Sequence, residues 1–308
     1  MDFFDLHCDT ITTAMHQSVG LDCGYLDISF PKNEEIKKHC QCFAIFCPDV
    51  ISGEDAFNYY TMAKHFFKDQ LLEFPQYFEQ VKAAEDIDRI TECGKTAAIL
   101  TVEGGRVLGG KIERLQNLYN DGVRMMTLTW NGENEIGKGS TDQNFGLKPF
   151  GIEVIKEMER LGMIIDVSHL SDAGLDGVLK NVDCAVAASH SDLREVCGHR
   201  RNLTDEYFKE IVRRGGVVGI NFYKAFINNN EEDASIYDIV KHIERMLMLG
   251  GENAVAMGSD YDGCDVVKGI EKMKDIPELY CLVQKEFGEK LAEKIFWKNA
   301  YDFFAKRI

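Results

Sequence analysis

The chain has 308 residues, with 51 acidic against 35 basic side chains and a net charge of −16. That balance argues against nucleic acid or an anionic membrane as partner. A hydrophobic content of 45% and a charged content of 28% are ordinary for a soluble globular protein. Met1-Asp2-Phe3-Phe4-Asp5 lacks the basic and apolar regions of a signal peptide. No apolar run reaches the roughly 20 residues of a membrane span. The expectation is a soluble, cytoplasmic protein with ten cysteines, none in a paired C-x-x-C set and most of them free thiols.

Eight apolar runs predict strands over 3–7, 42–47, 97–103, 123–130, 163–169, 185–190, 217–222 and 254–260. Helical periodicity lies between them, cleanest over 151–161 (Ile152, Ile155, Met158, Leu161) and 236–249. Residues 56–90 read as long, aromatic and helical, and 131–150 as a glycine-rich loop. Repeated strand–helix alternation predicts an α/β fold of the (β/α)₈ TIM-barrel type, one catalytic domain over 1–308. The alternative, a doubly wound open sheet, is disfavoured because no G-x-G-x-x-G follows an early strand.

The runs end on chemistry. His7 and Asp9 close the first and share one face, with Cys8 on the other. Such a pair suits a borderline metal, although a buried histidine beside a helix-capping aspartate reads equally simply. Glu103 ends the third run; it either lies at the solvated mouth of the barrel or, if it faces that pair, offers two oxygens to two cations. His169 and His190 end consecutive strands, and Asp260 closes the last; Asp262-Gly263 beyond it has turn chemistry. In a barrel the C-terminal strand ends share one face, so these residues can converge as a hydrolytic metal centre. Arg201, in the basic island Gly198-His199-Arg200-Arg201-Asn202, is either a solvated loop residue or a bidentate clamp for a substrate carboxylate.

Taken together, Asp5-Leu6-His7-Cys8-Asp9-Thr10, Val102-Glu103-Gly104-Gly105, Leu128-Thr129, Asp166-Val167-Ser168-His169-Leu170-Ser171, Ser189-His190-Ser191, Arg200-Arg201-Asn202-Leu203 and Gly258-Ser259-Asp260-Tyr261-Asp262-Gly263 resemble the membrane (renal) dipeptidase family of zinc peptidases. The resemblance runs in order along nearly the whole chain. It implies a barrel with two Zn2+ ions per chain, His7 and Asp9 on one, His169 and His190 on the other, and Glu103 bridging. It also implies that Asp260 handles the proton of the attacking water and that Arg201 holds the C-terminal carboxylate of a dipeptide. Family members often accept a C-terminal D-residue and are commonly homodimers. The chain departs from mammalian members in lacking export and lipid-anchor signals. It also carries Trp130, a candidate substrate-binding residue, where they have a histidine; an indole donates one hydrogen bond and takes no proton. The favoured reading is a zinc dipeptidase. The alternatives are a deaminase or lactonase on the same barrel and a non-catalytic metal-containing binding protein.

Overall fold

The computed structural model covers residues 1–308. Its strands are β1 (Phe3–Cys8), β2 (His39–Phe46), β3 (Phe78–Gln80), β4 (Thr96–Glu103), β5 (Val123–Thr127), β6 (Ile164–Asp166), β7 (Ala187–Ala188), β8 (Val217–Ile220) and β9 (Val255–Met257). All the pairings between them are parallel. The sheet runs β2-β1-β9-β8-β7-β6-β5-β4, and pairing of β2 with β4 closes it into an eight-stranded (β/α)₈ barrel. The interior is filled by Phe4, Leu6, Cys40, Cys42, Ala97, Ile99 and Met125 among others. The C-terminal helix Asn299–Phe304 closes its N-terminal end through Ala300, Phe303 and Phe304.

Two features differ from the sequence reading. β3 is an added ninth strand, pairing with the first half of β4 while β5 takes the second half. It interrupts the stretch read as one helical region. Helix Gly53–Glu73 ends just before Phe74-Pro75, since proline cannot continue it, and a separate helix covers Ala84–Glu92. The strands from β5 onward are also shorter than their apolar runs. Past β7 and β9 main-chain N–H groups turn to side chains instead of the ladder: Ser189 N donates to Asp166 Oδ1 and Ser259 N to Asp5 Oδ1.

Close packing shapes the same end of the barrel. A Cβ on Gly258 would lie 1.8 Å from the Ser189 carbonyl oxygen, so only glycine lets β9 pass that close. The β1–β2 ladder slips between Asp5 and Cys8, an irregularity of the kind that re-aims side chains at barrel rims. Cys8 turns away from the rim, its Sγ 3.5 Å from the Cys42 carbonyl oxygen. All ten cysteines are free. No helix is long and apolar enough to cross a membrane.

Candidate metal centre

Six side chains from the C-terminal strand ends converge on one buried point. His7 lies within β1, and Asp9 immediately precedes helix Thr10–Gln17. Glu103 is the last residue of β4, and His169, His190 and Asp260 stand just past β6, β7 and β9. His169 and Asp260 have positive φ values of 67° and 64°, conformations that L-residues other than glycine adopt at a cost and that cluster at functional sites.

Glu103 lies in the middle. Its Oε2 is 3.6 Å from His7 Nε2, and its Oε1 is 3.0 Å from His169 Nε2 and 3.5 Å from His190 Nε2. His7 Nε2 is also 3.7 Å from Asp9 Oδ2 and 3.8 Å from Asp260 Oδ1. Two tight ligand groups result, His7–Glu103–His190 and His7–Asp9–Asp260. His169 joins through Glu103 and through His190, with 2.9 Å between the two Nε2 atoms.

The hydrogen bonds behind the histidines decide which atoms face inward. Ser189 Oγ donates its only proton to Asp166 Oδ2, so it accepts from the Nδ1–H of His190. His169 likewise gives its Nδ1–H to Asn131 Oδ1 at 3.1 Å. Burial keeps both rings well below the ordinary histidine pKa, hence neutral. Each then presents an Nε2 lone pair to the Glu103 oxygen. Burial opposes a charge on His7, but Glu103 and Asp9 outweigh it and hold its pKa well above the ordinary value. Burial, reinforced by Asp9, lifts Glu103 to about 7; it also lifts Asp260 to about 6. His7 Nε2 and Asp9 Oδ1 have no hydrogen-bond partner although buried.

Three carboxylates and two neutral imidazole lone pairs crowded around the single His7 ring are costly to bury, and a cation among them offsets that cost. The set is nitrogen and oxygen only, which fits a divalent transition metal. These residues fit a metal centre.

A cavity of about 480 Å³ opens over the cluster, lined by Asp9, Glu103, His169 and Asp260 and walled by Phe46, Trp130, Tyr223 and Phe226. Trp130 therefore faces the cavity. Arg201 does not line it. It is buried beside His190, with Nη1 donating to Ser191 Oγ at 2.9 Å, Nη2 donating to the His190 carbonyl at 3.0 Å, and Nε unpartnered. Asp262 also lines the cavity, and its carboxylate accepts from Thr10 Oγ1, Asp27 N and Ile28 N, consistent with its reading as turn chemistry.

Sequence reasoning missed the residues behind the cluster: Asp5, Asp166, Ser189, Ser259, Asn131 and Asn221. Asn221 Nδ2 donates to Asp260 Oδ2 at 2.9 Å. A signal for four of them was present. An aspartate precedes His7 by two residues and His169 by three, and a serine directly precedes His190 and Asp260.

The profile of the membrane dipeptidase family, peptidase family M19, matches residues 1–306. The chain belongs to this family. It is a metallo-dipeptidase, a hydrolase acting on peptide bonds. A protein described as uncharacterised, from the pqqA 5' region of Klebsiella pneumoniae, is 32% identical over 228 residues, which is 70% of this chain and 84% of that one. Two solved structures share the fold of this M19 chain throughout. One, a metallopeptidase named dipeptidase AC, has a TM-score of 0.93 at 23% identity, covering 100% of this chain and 98% of that one. The other is a Rhodobacter sphaeroides metallopeptidase liganded with a phosphinate mimic of L-Ala-D-Ala. It has a TM-score of 0.92 at 22% identity, covering 100% of this chain and 99% of that one.

Proposed function

We propose that this M19 dipeptidase works with two zinc ions, His7 and Asp9 holding one, His169 and His190 the other, and Glu103 both. The observation that carries the reading is the position of Glu103, one oxygen toward His7 and the other toward His169 and His190. Bound zinc supplies Lewis-acid polarisation of the scissile carbonyl and acidifies water for attack near neutral pH.

The chain's own residues do the rest. Asp260, oriented by Asn221, accepts a proton from the attacking water and passes it to the leaving amine. Arg201, although it does not line the open cavity, keeps donors not used by Ser191 and His190, since a guanidinium has five, and this reading assigns them to the substrate's C-terminal carboxylate. Trp130 and Phe46 wall the space beside the scissile bond. The Rhodobacter protein's L-Ala-D-Ala mimic supports extending the substrate range here to dipeptides with a C-terminal D-residue. Free cysteines suit a cytoplasmic location, and a homodimer completes the reading.

Elemental analysis of gently purified protein should find about two zinc ions per chain. A panel of L-L and L-D dipeptides should show hydrolysis, and Glu103→Ala should lower both metal occupancies together. Folded protein that holds no transition metal and cleaves no dipeptide would sink the proposal. Sedimentation and cell fractionation test the dimer and the location.

A further inference from the structure

The loops after β2, β4 and β5 meet in a hydrogen-bonded knot beside the cavity. Arg106, three residues past Glu103 and buried, donates from Nη1 to the carbonyl oxygens of Asp49 and Ile51 at 2.7 and 2.9 Å. Its Nη2 donates to Asp49 Oδ1 at 2.6 Å and to the Glu133 carbonyl at 2.9 Å. The second Asp49 oxygen accepts the Gly132 N–H at 2.6 Å. Contact there is tight enough that a Cβ on Gly132 would lie 2.7 Å from that oxygen. One guanidinium and one carboxylate thus tie three loops together.

Directly before Gly132 in the chain come Trp130 and Asn131, which reach the cavity and His169. Trp130 lines the cavity and meets Phe46, the last residue of β2, edge to face, with centroids 5.0 Å apart at 70°. Asn131 accepts from His169 Nδ1 and accepts Thr141 Oγ1 at its carbonyl, so its side chain is anchored at the far end. The next residue, Gly132, is the one the Asp49 carboxylate holds. A planar fork bonded to fixed carbonyls leaves little rotational freedom, and a point-charge ammonium would not replace it.

We propose that the Asp49–Arg106 pair is a specificity-determining positioning element: it sets where the Trp130 wall stands over the cavity, and so which dipeptide side chains fit. The assignment rests on the dipeptidase reading above. Neither residue touches the substrate space; both act through Gly132 and the two residues before it.

The test uses the holoenzyme carrying Trp297→Phe. The chain has two tryptophans, and Trp297 lies at the far end of the barrel against Phe4 and Tyr301, so Trp130 becomes the only indole. In that background Asp49→Ala should shift the Trp130 emission to longer wavelength and increase its quenching by acrylamide. The ratio of kcat/KM between Ala-Ala and Ala-Leu should fall by about tenfold, the scale at which a pocket separates side chains differing by a few methylenes. Asp49→Asn, which keeps one acceptor oxygen, should fall between the two. Gly132→Ala presses a new Cβ against the Asp49 carboxylate while keeping both charges of the pair, and should reproduce both changes. Unchanged Trp130 emission in both variants would overturn the proposal. So would a displaced Trp130 with unaltered dipeptide ratios, or a uniform rate loss across the panel that tracks a lower melting temperature. A chain that cleaves no dipeptide would instead remove the proposed function, and the emission measurements would still decide whether the pair positions Trp130.

Discussion

Asp5 holds Ser259 twice, accepting its main-chain N–H at 2.8 Å and its hydroxyl at 2.6 Å. The same arrangement recurs across the barrel, where Asp166 accepts Ser189 N at 2.9 Å and Ser189 Oγ at 2.6 Å. Each serine directly precedes a residue of the cluster, Asp260 in one case and His190 in the other. Each aspartate also accepts a main-chain N–H from the segment leading to a histidine, His7 N for Asp5 and Ser168 N for Asp166. The candidate metal centre is therefore held by two buried carboxylates that do not line the cavity.

The Asp166 brace also sets a tautomer. The Ser189 hydroxyl points at the Asp166 carboxylate and leaves a lone pair for His190 Nδ1–H. Asp166→Asn removes one acceptor oxygen and frees that hydroxyl to donate to His190 instead. The ring proton then moves to Nε2, which can no longer ligate. Metal affinity should drop by roughly 10- to 100-fold, the usual scale for losing a partner behind a ligand. Zinc titration with a competing chelator measures it, and unchanged affinity would show that Asp166 serves folding alone.

Much of this was legible in the chain, for a physical reason. A histidine or carboxylate ending an apolar run costs too much to bury without a purpose, so His7, Glu103, His169, His190 and Asp260 mark themselves. The eight barrel strands could be read from the same runs. β3 could not, because three residues carry no period. Asp5 and Asp166 were harder to read because each falls within its apolar run; their spacing to the histidines is a signal, but only the serines past β9 and β7 reveal what they bond. Arg106 and Asp49 are 57 residues apart and share no local pattern.

Asp260→Asn is nearly isosteric and can turn its own oxygen toward Asn221 Nδ2, so the loop should hold its shape. What it loses is a site for the proton. kcat should fall by roughly 10²- to 10⁴-fold while zinc content stays largely intact. Near-normal turnover would take Asp260 out of the reaction.

Arg201 anchors on Ser191 and His190 while its Nε–H stays free. Removing a charged hydrogen bond to the substrate carboxylate costs about 1.5–3 kcal/mol, so Arg201→Met should raise KM by roughly ten- to a hundredfold. Arg201→Lys should recover only part, because an ammonium lacks the planar fork. C-terminally amidated dipeptides should be poor substrates for the natural enzyme and no worse for the variant. Equal rates on free and amidated dipeptides would remove the clamp.

Away from the site, two buried histidines tie stability to pH. Burial drives His39, bonded to Thr96 Oγ1, down to about 3, and His242, bonded to Leu193 N and Ile227 O, down to about 4. Both lie below the unfolded value of about 6.5. Between these limits the unfolded chain binds more protons, so their stabilisation is complete above about 6.5 and is lost as pH falls. At pH 5 each costs up to about 2 kcal/mol. Asp262, raised by burial to about 6, acts in the opposite sense, so the wild-type slope alone is not diagnostic. The denaturant midpoint at pH 5.0, measured relative to that at pH 7.5, should be higher in His242→Gln than in the natural protein. An unchanged gap would mean His242 does not titrate on unfolding.

Trp130 presents the largest side chain on the cavity wall, 5.0 Å from Phe46 and 6.4 Å from His169 between ring centroids. An indole there fills volume and takes no proton, so it governs size rather than acid–base chemistry. The natural enzyme should favour dipeptides with small side chains beside the scissile bond, such as Gly or Ala. Trp130→Ala should raise kcat/KM for bulky dipeptides relative to Ala-Ala by about tenfold, since pockets separate side chains of nearby size on that scale. Trp130→His returns a titratable ring and should add a limb to the pH–rate profile that the natural enzyme lacks. If both variants keep the wild-type preference and profile and lose only thermal stability, Trp130 is packing, and the substrate's size limit lies elsewhere on the wall.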